Sequence, residues 1–175
     1  MRSILDKILK TLLNGKTQIV VLDYKTIAMR FLRFVFIIYT IFLAQQLLFG
    51  SARFLARDVL ISNRDLYINW VPFNTISMYI EHFEYFKFWD WISNIFGNVI
   101  IFMPIGALLP IISKYKSLIF SLGIGFLMSL TIEITQYYLC LGVFDVDDII
   151  LNVFGVILGY IVYKFTGRII KRHKI

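Results

Sequence analysis

The residues best equipped for chemistry lie in Phe144-Asp145-Val146-Asp147-Asp148-Ile149-Ile150-Leu151-Asn152, where three carboxylates and an amide stand at the mouth of an apolar run ending near Tyr163. A second polar group, Glu133 and Gln136, interrupts the apolar run before it, and Asn94 and Asn98 open an earlier one. Charged groups are expensive near a bilayer, so such clusters face protein interior or a wet cavity. Carboxylates and amides of this kind can offer oxygen ligands to a divalent cation. Glu133, with a raised pKa, could act as a general acid or base, and Asp145 and Asp148 are the other catalytic candidates. The same groups can instead hydrogen-bond a polar headgroup while apolar helices hold its lipid tail.

Other chemistries find no foothold. His82 and His173 are the only histidines and Cys140 the only cysteine, so no His/Cys metal motif is present. A divalent cation remains chemically possible at the carboxylates without a motif to support it. Neither a Gly-x-Ser-x-Gly nucleophile elbow nor a phosphate-cradling glycine loop occurs.

Spacing says which groups can meet. A helix opening near Asp145 puts Asp145, Asp148, Asn152, Gly155 and Gly159 on one stripe. Asp147 falls off that stripe and reads as solvated. A second stripe holds Gly125, Ser129, Glu133, Gln136 and Cys140. Both stripes are polar at one end and small at the other.

The elements that must position these residues follow from composition. The 175 residues are 59% hydrophobic, with net charge +7 and mean hydropathy +0.76. That excludes an ordinary soluble domain. About twenty apolar residues cross the hydrocarbon. The expected fold is an all-α integral membrane protein, a bundle of four transmembrane helices with spans near 27–49, 94–112, 118–139 and 148–165. Residues 1–25 read as a basic amphipathic helix on the membrane surface, 26–168 as the membrane domain and 169–175 as a basic tail. Residues 50–93 are a long aromatic-rich connection containing an interfacial helix. Pro104 sits inside the second span, where a proline can kink a helix and is tolerated when neighbours re-satisfy the backbone.

Lysine and arginine crowd the N-terminus, the Lys114/Lys116 loop and the C-terminus, so they speak for cytoplasmic-leaflet contact rather than nucleic acid. Both termini are then cytoplasmic, and the connection is extracellular. This topology brings Asn94, Asn98, Glu133, Gln136, Asp145, Asp148 and Asn152 to one outward-facing level, with Asn69 and Phe73 able to cap it. Plainer roles exist for each group. Asn94 can be a helix N-cap, Asp145 or Asp147 can cap the fourth span, and Glu133 can be neutral glue between helices.

The pieces Asn69-Trp70-Val71-Pro72-Phe73, Asn94-Ile95-Phe96-Gly97-Asn98 through Pro104-Ile105-Gly106, Glu133-Ile134-Thr135-Gln136 and Phe144-Asp145 through Gly155 occur in this order. In that order they resemble the VanZ-like family of bacterial membrane proteins. The resemblance implies a protein of the cytoplasmic membrane; the family's namesake is associated with resistance to teicoplanin, a lipid-tailed glycopeptide. Relatives often carry an arginine shortly before the Phe-Asp pair, where this chain has Leu141-Gly142-Val143. Any ion pair to the acids would then come from elsewhere, such as Arg53, Arg57 or Arg64. The expected partners are membrane lipids and a lipoglycopeptide or lipid-linked cell-wall precursor. The alternative is a carboxylate-dependent enzyme acting on such a precursor.

Overall fold

The computed structural model describes residues 2–49 and 68–172. The three arginines considered as partners for the acids, Arg53, Arg57 and Arg64, lie outside these residues. The chain divides into two compact units, Met1–Tyr39 and Thr40–Ile175.

The first unit belongs to α1, one uninterrupted helix from Arg2 to Phe49. The expected surface helix and first span are therefore a single element. No proline interrupts this stretch, and Gly15 alone does not break it; one interior glycine costs only about 1 kcal/mol.

The second unit holds the rest. After β1 (Ile68–Asn69) come α2 (Asn74–Glu81), a 3-10 turn (Phe83–Tyr85) and α3 (Phe88–Ile92). A π turn, Ser93–Gly97, carries α3 directly into α4 (Asn98–Ile112). Then follow α5 (Leu118–Tyr138), β2 (Phe144–Asp145) and α6 (Val146–Arg172). Among the described residues, four segments are long and apolar enough to span a membrane: Tyr24–Gln46, Ser93–Ile112, Leu118–Tyr138 and Val146–Arg168. They match the expected spans within a few residues.

Small residues set the packing of α4 on α6. A Cβ at Gly159 would stand 1.9 Å from the Met103 carbonyl oxygen, and one at Gly155 2.2 Å from that of Val99. In the other direction, a Cβ at Gly106 would meet the Val156 carbonyl at 2.0 Å. The two backbones touch, as happens where small residues line helix seams in lipid. Helix α4 runs through both Pro104 and Pro110, which neighbouring helices make tolerable in a membrane.

The ends of α5 are set by local chemistry. The Ser117 hydroxyl accepts the Phe120 amide at 3.1 Å and starts the helix. Its end is a Schellman turn: Leu141 N–H reaches the Gln136 carbonyl at 2.8 Å, and Cys140 N–H that of Tyr137 at 3.2 Å. Cys140 takes the left-handed position, φ 52°. Cys140 is thus buried beside the inward stripe but is not on the helix.

Candidate functional site

Two strands of two residues each build the frame. Ile68 and Asn69 pair in parallel with Phe144 and Asp145. This bridge brings the start of the connection to the start of α6, and the Trp70 ring lies against Phe144 with centroids 4.6 Å apart.

Asp145 belongs to this bridge and not to α6, contrary to the helical stripe drawn through it. Its Oδ1 accepts the Asp147 amide at 2.9 Å, which is the N-cap bond of α6. The same oxygen accepts Asn69 Nδ2 at 2.9 Å, and Oδ2 accepts the Thr75 hydroxyl at 2.5 Å. The capping role considered for Asp145 is the one it plays, together with a tie to the connection.

Asp147 is the main correction. Read as solvated, it is 0% exposed. Its Oδ1 accepts the Phe73 amide, and its Oδ2 accepts the Ile76 amide at 3.0 Å. Phe73 is the N-cap residue of α2 and supplies no side-chain cap of its own. Asp147 therefore caps α2 from more than seventy residues away in the chain. The first amides of any helix need acceptors, and a carboxylate also suits the positive end of the helix. Phe73 itself sits at φ 67°, ψ 6°, an unusual place for a bulky residue. It serves the site through its backbone, while its ring is exposed.

Glu133, 2% exposed, accepts the Asp145 amide on Oε2 at 3.1 Å. Gln136 is buried one turn further along, and Ser129 one turn back. The inward stripe of α5 is thus as its spacing implied. On α6, Asp148 is half-buried and accepts Asn98 Nδ2 at 2.6 Å. Asn98 Nδ2 also reaches the Asn94 carbonyl at 3.3 Å. Asn94 lies within the π turn, so the helix does not begin there and Asn94 is not its cap. One turn deeper on α6, Asn152 Nδ2 donates to Ser129 Oγ at 2.8 Å, and its Oδ1 is buried without a partner.

Six elements, β1, α2, α4, α5, β2 and α6, thus deliver polar groups to one end of the helix pack. They form a chain of bonds from Thr75 and Asn69 through Asp145 to Glu133, with the pairs Asn98–Asp148 and Ser129–Asn152 beside it. Asp145 and Asp147 are occupied in holding the connection down. Asp148 is the more exposed carboxylate of the three. Among the described residues, no group of three or more His, Cys, Asp or Glu is arranged to hold a metal ion.

Thr75 was not singled out from sequence. Its signal was the polar pair Asn74-Thr75 directly after Pro72-Phe73, at the start of a short helix.

On another face of α5 lies an apolar groove of about 340 Å³, bordered by Thr40, Leu43 and Ala44 of α1 and by Leu127, Thr131 and Thr135 among others. Thr131 and Thr135 bond back to the Leu127 and Thr131 carbonyls at 2.7 and 2.6 Å. Their hydroxyls are thereby satisfied along the helix and leave the groove apolar.

Comparison with known proteins agrees with this arrangement of motifs. The family model described as VanZ/LLP1 matches residues 36–169. A protein named VanZ from Enterococcus faecium is 33% identical over 78 residues, 45% of this chain and 48% of that protein. The chain thus spans about half the length of the curated relative it matches. No solved structure matches. With a family match covering most of its length and four helices able to span a bilayer, the chain is a multi-pass membrane protein and belongs to the VanZ-like family.

Proposed function

We propose that this protein acts at the cell envelope, in the cytoplasmic membrane, and contributes to resistance against a lipid-tailed glycopeptide such as teicoplanin. It does so by binding an amphipathic ligand, either the lipoglycopeptide or a lipid-linked cell-wall precursor. In this reading both termini face the cytoplasm, which the excess of lysine and arginine at those helix ends supports, so the polar cluster faces outward.

The observation that carries this reading is the convergence of Asn69, Asn98, Glu133, Gln136, Asp145, Asp148 and Asn152 at one end of the helix pack. Asp148 with Asn98 is its half-buried part and offers the headgroup a carboxylate and an amide. Phe73 and Asn94 border it. The apolar groove beside α5 suits an acyl tail, since Thr135 and Ile132 line it next to Glu133 and Gln136 on the same helix. VanZ membership supports the same direction.

The test is expression in a susceptible Gram-positive host. The teicoplanin inhibitory concentration should rise with the wild type and return to baseline with Asp148→Asn. A well-expressed wild type that leaves the concentration unchanged overturns the resistance part.

A second reading rests on the same half-buried Asp148, the acid best placed to exchange protons with a substrate. In it the protein is a carboxylate-dependent enzyme of lipid-linked precursors. Purified protein that leaves such precursors intact, with and without chelator, rules this reading out.

A further inference from the structure

All three tryptophans of the chain, Trp70, Trp89 and Trp91, lie in the connection between the first and second spans. Each end of this segment is fixed close to where a spanning helix begins. At one end, Ile68 and Asn69 pair with Phe144 and Asp145, immediately before the span that opens at Val146. Trp70 lies on Phe144 there. At the other end, α3 runs through the π turn into the span that opens at Ser93. Trp89 precedes Ser93 by four residues, about 6 Å along a helix axis.

Between these two points the segment cannot rise far. Asp147 holds α2 at its first turn, and Trp91 Nε1 ties α3 to α2 by donating to the Tyr79 carbonyl at 2.9 Å. Tyr79 also packs on Phe86, with centroids 4.5 Å apart. Held this way, the segment still leaves Trp70 66%, Phe83 64%, Phe88 65% and Trp89 73% exposed. In water that would be an unusually large open aromatic surface. Glu81, Glu84 and Lys87 are exposed along the same stretch. Aromatic bodies beside charged tips fit a place where one side is apolar and the other wet.

We infer that residues 70–91 lie in the plane of the membrane, with Trp70, Phe83, Phe88 and Trp89 immersed in the headgroup–acyl boundary of the leaflet at the cluster end. The partner is the lipid bilayer itself. The spans enter it at both ends of the segment, so the exposed face continues the surface they already present to lipid. Acidic and basic groups are mixed here, so attachment is apolar and does not depend on anionic lipid. This inference is independent of whether the polar cluster binds a ligand.

The native tryptophans provide the test. The full chain is placed in phosphatidylcholine vesicles, and its emission is compared in vesicles whose lipids carry bromine shallow or deep on the acyl chain. Shallow bromine should cut the emission roughly twofold, deep bromine less, and aqueous iodide little, as for interfacial tryptophan. The double variant Trp70→Phe/Trp91→Phe isolates Trp89 and should behave alike. If that variant does not fold, the wild type alone still decides. Emission quenched by iodide and untouched by bromolipid overturns the inference, because the segment then stands in water. Emission protected from both quenchers, with protection lost as protein is diluted in lipid, also overturns it, because a second copy then covers the face.

Discussion

The Asp147 carboxylate accepts the backbone amide of Ile76 at 3.0 Å across 71 residues of chain. A helix of eight residues is marginal alone, so α2 depends on this borrowed cap. Asp147→Ala should cost about 1–3 kcal/mol, the range for losing a cap and stranding buried donors. Thermal unfolding in detergent should show the loss. Proteolysis between residues 70 and 92 should become faster while the spans stay protected. Equal cleavage rates in variant and wild type would count against the borrowed cap.

The glycine seam gives a contrast within one protein. At Gly159 an added methyl must displace the Met103 carbonyl, whereas at Gly123 it would meet nothing within 4 Å. Gly159→Ala should destabilise by about 1–3 kcal/mol or more, as overpacking does. Gly123→Ala should be neutral or gain up to about 1 kcal/mol from helix propensity. Melting temperatures of the two variants in the same detergent check this, and similar values would mean that α4 and α6 do not touch at Gly159.

Ser129 and Asn152 form a pair whose removal is not additive. Ser129→Ala strands the Asn152 amide in the interior and should cost about 1–3 kcal/mol. Ser129→Ala with Asn152→Leu removes both partners, including the unpartnered Oδ1, and should be close to neutral. If the proposed resistance is observed for the wild type, a folded, stable double variant that has lost it would link Asn152 to function. One that keeps it would assign the pair to packing alone.

Orientation can be read by labelling. In a Cys140→Ala background, Lys116→Cys should react with an impermeant thiol reagent only after the membrane is opened. Glu84→Cys, on the connection, should react in intact cells. The reverse pattern would place the polar cluster on the cytoplasmic side and overturn the proposal of an extracellular ligand.

Much of the architecture was legible because lipid imposes simple rules. Spans need about twenty apolar residues, and the four runs supply them with little competing signal. The inward face of α5 was legible because Ser129, Glu133 and Gln136 recur at helical spacing. Asp147 was misread for a physical reason. Spacing along a helix reports which side chains share a face, and says nothing about a distant segment folding over the first turn. Its cover, Phe73 to Ile76, lies some seventy residues upstream and is joined through backbone amides, which leave no trace in residue type. The same holds for the bridge between Ile68–Asn69 and Phe144–Asp145, too short for any strand periodicity to appear.

The seam between α4 and α6 has a consequence for how such a protein could ever change state. Where Gly106, Gly155 and Gly159 bring carbonyls against backbone, there are no side chains to slip into a second arrangement. A one-turn ratchet, or a rocking of one helix on the other, would force main chain through main chain. The two helices behave as a fixed stave. Residues 69–76 are joined to the start of α6 by another means, bonds to the side chains of Asp145 and Asp147, which a single substitution can remove without touching the seam.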